Sequence, residues 1–151
     1  MSEHKVSVNW SRESDDFNYK NYNREHTWNF ENGIVVQASA APDYLGKTEC
    51  VNPEDAFVAS LSSCHMLTFL AIASYQGFTI DSYVDEAVGI LDKNESGRMA
   101  VTQVTLKPTI QFSGNKVPSD EELNALHDKA HRECFIANSV TTEVNLDMGV
   151  A

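Results

Sequence analysis

The sequence predicts an α+β fold, with mostly antiparallel strands packed on one long central helix. Three observations predict it. From Ala56 to Ile80 there is no Asp, Glu, Lys or Arg, and Asn52-Pro53-Glu54-Asp55 before it is a helix start. On either side, short runs alternate apolar and polar residues, the period of a strand with one buried face. Near the C-terminus, Ser119 and Glu122 form a capping box that opens a second helix.

Taken in order, Val6, Val8 and Trp10 share one face of a first strand over 5–10. Residues 11–25 are polar and rich in Asn, Asp and Tyr, and read as a loop. His26, Trp28 and Phe30 alternate, Asn32-Gly33 supplies a hairpin turn, and Ile34 to Ala38 returns as the partner strand. A loop from Ala41 to Cys50 leads into the central helix. On that helix Phe57, Leu61, Cys64, Thr68, Ala71 and Tyr75 fall three and four apart and share a face, and Gly77 ends it. Residues 83–91 read as a strand and 92–97 as a turn. Met99 to Phe112 reads as a long second strand, with Pro108 at an edge or bulge. The second helix carries Leu123, Leu126 or His127, Ala130 and Cys134 on one stripe. A last strand alternates Val140, Thr142, Val144, Leu146 and Met148. The expected order is three strands, a long helix, two strands, a helix and a strand, in a single domain over 1–151.

Composition narrows the partners. A net charge of −11 argues against nucleic acid and anionic membrane, both of which attract Lys and Arg. The Ala56–Ile80 run is long enough to span a bilayer. It carries Ser60, Ser62, Ser63, His65, Thr68 and Gln76 and lacks basic flanks, so it reads as a buried helix. MSEHKVSVNW has no apolar signal core, and the expected location is the cytoplasm. The three cysteines, Cys50, Cys64 and Cys134, are a poor disulfide framework and point to metal, catalysis, redox sensing or simple burial.

Zinc is disfavoured. There is no C-x-x-C pair, and Cys64 and His65, adjacent on a helix, point about 100° apart. Burial of both helix cysteines as small hydrophobes is one reading. A pair of redox thiols, one attacking and one resolving, is another. An attacking thiol needs a cation to hold it as thiolate, since a free Cys with pKa about 8.5 is only a few per cent ionised at neutral pH. Arg24, Lys47 and Arg132 are candidate cations, and Glu54 is a candidate clamp for one of them.

Asn52-Pro53-Glu54, Cys64 ten residues after the Glu, and Ala130-His131-x-x-Cys134 followed by Asn138 together resemble the OsmC/Ohr family over nearly the whole chain. The resemblance implies an OsmC-like fold in an intertwined homodimer that reduces organic hydroperoxides without a cofactor. It implies that Cys64 attacks the peroxide and becomes a sulfenic acid, and that Cys134 resolves it to a disulfide. A dithiol, a lipoylated protein in the Ohr branch, then restores the pair. Arg24, just before a strand hairpin, falls where the family carries its active-site arginine, and Glu54 would orient it. The segment 22–28 lacks the Gly-Gly-Arg turn of Ohr proteins, and Phe135 stands where Pro usually follows the second Cys.

Helix geometry adds an expectation. Ten residues on one unbroken helix separate Glu54 from Cys64 by about 15 Å. Two such helices crossing antiparallel would bring each Glu54 towards the other chain's Cys64, so each site is expected to draw on both subunits. Cys50, His65 and His131 receive no role, although His131 could assist proton transfer near Cys134. A non-catalytic thiol sensor or small-ligand-binding dimer, and a structural dimer with two buried cysteines, remain alternatives.

Overall fold

Residues 1–149 are described by a computed structural model. They fall into two compact units, the first ending at Ala56 and the second beginning at Phe57.

The first unit is built on an antiparallel meander of β1 (Val6–Asn9), β2 (His26–Phe30) and β3 (Val35–Ala38), with β2 in the middle. Trp28 lies opposite Val8 on one side and Val36 on the other. Gly33 takes φ 84°, the left-handed conformation that lets the chain reverse between β2 and β3. The loop before β2 is held by an aromatic cluster, in which the Trp10, Phe17 and Tyr22 rings meet in tilted and edge-on arrangements. After β3, Ala38 makes a parallel bridge to Val51, which delivers the chain to the next helix.

That helix, α1 (Pro53–Tyr75), is the central helix expected from the uncharged run. Asn52 caps it, with Oδ1 accepting the Asp55 N–H at 2.8 Å, and Pro53 loses nothing at the first helical position. It ends in a Schellman motif. Gly77 has φ 81°, its N–H donates to the Ser74 carbonyl, and Phe78 N–H donates to the Ala73 carbonyl. The buried stripe is Leu61, His65, Phe69, Ile72 and Ala73 rather than the expected Phe57-Leu61-Cys64-Thr68-Ala71-Tyr75 face, and Tyr75 is 92% exposed. α1 is apolar on nearly every side, so periodicity alone could not choose its inner face.

In the second unit, β4 (Thr79–Asp85) pairs with β7 (Pro108–Ser113) in an antiparallel ribbon. A second sheet has the order β5 (Val88–Lys93), β6 (Met99–Leu106), β8 (Glu143–Leu146). β5 and β6 are antiparallel, whereas β6 and β8 run parallel. Four strands therefore stand where the sequence suggested two. The expected 83–91 strand breaks at Glu86-Ala87, and the expected 99–112 strand breaks at Lys107. Pro108, with no N–H to donate, opens β7, and Asp85 Oδ1 accepts the Lys107 N–H at 2.6 Å to tie the two breaks together. The last strand is shorter than expected because only Glu143–Leu146 find partners on β6.

α2 (Asp120–Glu133) begins with the expected box, in which Ser119 Oγ accepts the Glu122 N–H and Glu122 Oε2 accepts the Ser119 N–H. It buries Leu126, His127 and Ala130 against Phe69, Ile72, Ala73 and Phe78. A second cluster packs Leu61 of α1 against Val104 and Leu106 of β6. Approach of α1 to β5 is close enough that a Cβ on Gly89 would lie 2.4 Å from Val58 Cγ2, which is why that strand position has no side chain. α1 is thus fixed on one side by α2 and on another by the three-stranded sheet.

Candidate functional site

Cys64 sits in the middle of α1, half-buried. Cys134 stands just past the end of α2, where its backbone leaves the helix for an extended conformation, and it is 1% exposed. Although seventy positions separate them in sequence, the two thiols are close enough for Cys64 to influence the ionisation of Cys134. Burial pushes the Cys134 thiol above its ordinary pKa, and the neighbouring Cys64 raises it further. The Ala137 N–H, 3.4 Å from Cys134 Sγ, acts in the opposite sense and more weakly. Cys134 is therefore held as a thiol. Both remain unbridged, as does the half-buried Cys50 of the first unit.

The turn after α2 keeps Cys134 in place. Asn138 N–H donates to the Cys134 carbonyl at 3.0 Å, and the Asn138 side chain donates to the Arg132 carbonyl at 3.0 Å. These bonds satisfy carbonyls that the helix end leaves open. They also explain why Asn138 belongs with the Ala130-His131-x-x-Cys134 pattern.

Arg24 and Glu54 belong to the first unit. The Arg24 guanidinium lies 3.8 Å from the Tyr22 ring centre and 4.9 Å from that of Tyr19, and it donates to the carbonyls of both residues. This cation–π and carbonyl cradle fixes the side chain in one orientation. Lys47, the second candidate cation, is paired with Glu25 at 2.5 Å, and that contact holds the Glu25 carboxyl below its ordinary pKa. Glu54 is partly buried, and its Oε2 is enclosed without a hydrogen-bond partner. A buried carboxylate oxygen without a donor is costly, and it marks Glu54 as a group in want of a cation. Arg132 is exposed at the end of α2.

His65, for which no role was legible in the sequence, is buried within the second unit. His65 is 3% and His127 2% exposed, and their rings share a hydrogen bond, Nε2 to Nδ1, of 3.0 Å. The rings are nearly parallel, at 7°, and Phe69 stacks on His127 with centroids 4.3 Å apart. Burial lowers the pKa of each histidine to about 4, so both are neutral near pH 7. The outer nitrogens, His65 Nδ1 and His127 Nε2, are buried without partners. His65 also feels the nearby His131, which opposes its protonation, and Asp85, which favours it. Asp85 is itself bonded by the Ser62 hydroxyl. Nothing local in the sequence signals this pair, since its members are sixty-two residues apart. Among the described residues, no group of three or more His, Cys, Asp or Glu is placed to hold a metal ion.

Residues 46–149 match the family model described as OsmC-like protein. An OsmC-like protein of unknown function from Vibrio cholerae O1 biovar eltor has a solved structure 49% identical in sequence to this chain, with a TM-score of 0.94. That match covers 97% of this chain and 99% of the other. The organic hydroperoxide resistance protein OsmC of Legionella pneumophila superposes with a TM-score of 0.70 at 18% identity, covering 99% of this chain and all of the other. OhrB of Bacillus subtilis, an organic hydroperoxide resistance protein, superposes with a TM-score of 0.70 at 22% identity over 97% of each chain. The last two share the fold. No curated protein matches the chain.

Proposed function

Because the chain belongs to the OsmC-like protein family, we propose that it is a thiol-dependent peroxidase that reduces organic hydroperoxides, with Cys64 attacking and Cys134 resolving. The observation that carries this reading is the approach of two thiols from distant parts of the chain, one half-buried and one fully buried. The Cys64 thiolate attacks the outer peroxide oxygen, the O–O bond breaks, and the alcohol leaves after taking a proton. Cys64 is then a sulfenic acid. The Cys134 sulfur displaces its hydroxyl, giving a Cys64–Cys134 disulfide and water. A dithiol reduces that disulfide by exchange, and a lipoylated protein is the proposed donor. Cytoplasmic residence accords with free thiols.

The raised pKa of Cys134 suits this division of labour. A resolving thiol that stays protonated does not compete with Cys64 for peroxide. The test is consumption of cumene hydroperoxide in the presence of dithiothreitol. Sustained turnover is expected. One oxidation per chain without turnover would assign the pair to redox sensing instead.

Arg24 is proposed as the cation that holds Cys64 as thiolate, and Glu54 as the carboxylate that orients Arg24. α1 is unbroken from Pro53 to Tyr75. Glu54 therefore lies about 15 Å along the axis from Cys64 of the same helix, so Glu54 of one chain is proposed to serve Cys64 of another. Replacing Arg24 by Ala is expected to slow alkylation of Cys64 by iodoacetamide near neutral pH by up to about tenfold. An unchanged rate would move the role to Arg132 or Lys47.

A homodimer is proposed for the same reason. α1 has the length and composition of a membrane-crossing helix, yet only one stripe of it is buried, and Leu67 is 60% exposed. A second copy, packing α1 against α1, covers this apolar surface and needs no membrane. Sedimentation velocity is expected to show a dimer that Leu67→Arg weakens or splits. A fully active monomer would overturn the shared site.

A further inference from the structure

Arg24 lies just before β2, outside the strand pairing, so no ladder holds its backbone. Side chains hold it instead. Trp10 Nε1–H donates to the Asn23 carbonyl at 2.8 Å, and the Arg24 N–H donates to Glu25 Oε2 at 3.0 Å. Both groups belong to the peptide plane that enters Arg24. The plane that leaves it carries the Arg24 carbonyl, which lies 2.8 Å from His26 Nδ1. A peptide unit is rigid, so pinning the plane on each side of Arg24 fixes its φ and ψ. The direction in which the side chain departs towards Tyr19 and Tyr22 is thereby fixed as well.

Trp28 decides which way His26 bonds. An indole nitrogen only donates. Trp28 Nε1 is 3.0 Å from His26 Nε2, so that nitrogen is the acceptor, and the proton of the neutral imidazole sits on Nδ1, facing the Arg24 carbonyl. The two residues are two apart on β2 and share a face, which brings their ring centres to 6.1 Å.

We propose that His26 is a positioning residue for Arg24: held in its Nδ1–H tautomer by Trp28, it fixes the Arg24 backbone and keeps the guanidinium in its cradle. This role rests on the reading of Arg24 as the cation that serves Cys64. The arrangement lies wholly within the first unit.

Two substitutions separate the two ring nitrogens. His26→Asn puts an amide near the place of Nδ1 and keeps a donor for Arg24. His26→Gln reaches the place of Nε2, keeps an acceptor for Trp28 and loses that donor. The full-length variants are compared by iodoacetamide alkylation of Cys64 near neutral pH. His26→Gln is expected to slow it as much as Arg24→Ala does, up to about tenfold, and to add nothing in an Arg24→Ala background. His26→Asn is expected to stay within about threefold of the parent. A parent-like rate in His26→Gln while Arg24→Ala is slow, equal loss in the two His26 variants, or additive loss in the double variant would overturn the proposal.

If Arg24→Ala alkylates at the parent rate, the reading of Arg24 fails, and nuclear magnetic resonance decides the positioning role by itself. The Arg24 guanidinium protons are expected to exchange slowly with water in the parent and in His26→Asn, and faster in His26→Gln. Equal exchange in all three, or a parent His26 ring with its proton on Nε2, would overturn the proposal.

Discussion

Cys64→Ser is expected to remove peroxide turnover by at least about a thousandfold, the scale at which loss of a nucleophile registers. A serine hydroxyl is not ionised at neutral pH and cannot accept the peroxide oxygen. Cys134→Ser is expected to behave differently. Its Cys64 still attacks, so one equivalent of cumene hydroperoxide is consumed rapidly. The enzyme then stalls as a sulfenic acid that dimedone can trap, or passes slowly to reduction by free thiol. This asymmetry follows from the site. Cys64 is half-buried and reachable, while Cys134 is fully buried with its pKa raised. Equal loss at the first turnover in both variants would contradict the assignment of roles. Unchanged consumption in Cys64→Ser would remove that residue from the chemistry altogether.

A second large effect is expected from acid. His65 and His127 have pKa values of about 4 in the folded chain, against 6.5 for an ordinary histidine. Between those values the unfolded chain binds protons that the folded chain refuses, so stability rises with pH across this window. The contribution is fully present above about pH 6.5, declines as pH falls towards 4, and changes no further below that. The unfolded chain protonates both rings at pH 5 and the folded chain almost neither, so the loss from pH 7.5 to pH 5 is expected to be about 2 kcal/mol for each ring and about 4 kcal/mol for the two. Urea denaturation at the two pH values measures it. A double variant, His65→Leu with His127→Phe, keeps an apolar pair beside Phe69 and removes both protonation sites. Its stability is expected to change less between the two pH values than that of the parent. An equal pH dependence in both proteins would show that the pair is not the source.

The parts of this fold that were legible in the sequence are those fixed by local chemistry. Asn32-Gly33 marks a reversal because its glycine takes φ 84°, and Ser119 and Glu122 satisfy two N–H groups within three residues. Asn52-Pro53 starts α1 for similar reasons. What was not legible depends on partners far away. The parallel pairing of β6 with β8 joins strands forty residues apart, from Gln103↔Glu143 to Leu106↔Leu146. The inner face of α1 was misjudged because apolar residues surround the helix, and α2 selects His65 and Phe69 in place of Cys64 and Thr68. That displacement leaves Cys64 half-buried at the margin of the core and turns His65 inward to meet His127. The proposed pairing of Cys64 with Cys134 comes from the family pattern, since neither residue carries a local signal of the other.

The central claim is that these two thiols form one redox pair, and peptide mapping under non-reducing conditions tests it most directly. After one equivalent of cumene hydroperoxide, the account predicts a single new cross-link between the peptides of Cys64 and Cys134, with Cys50 still free to alkylate. A cross-link through Cys50, or oxidised protein in which Cys64 and Cys134 remain separate, would contradict it.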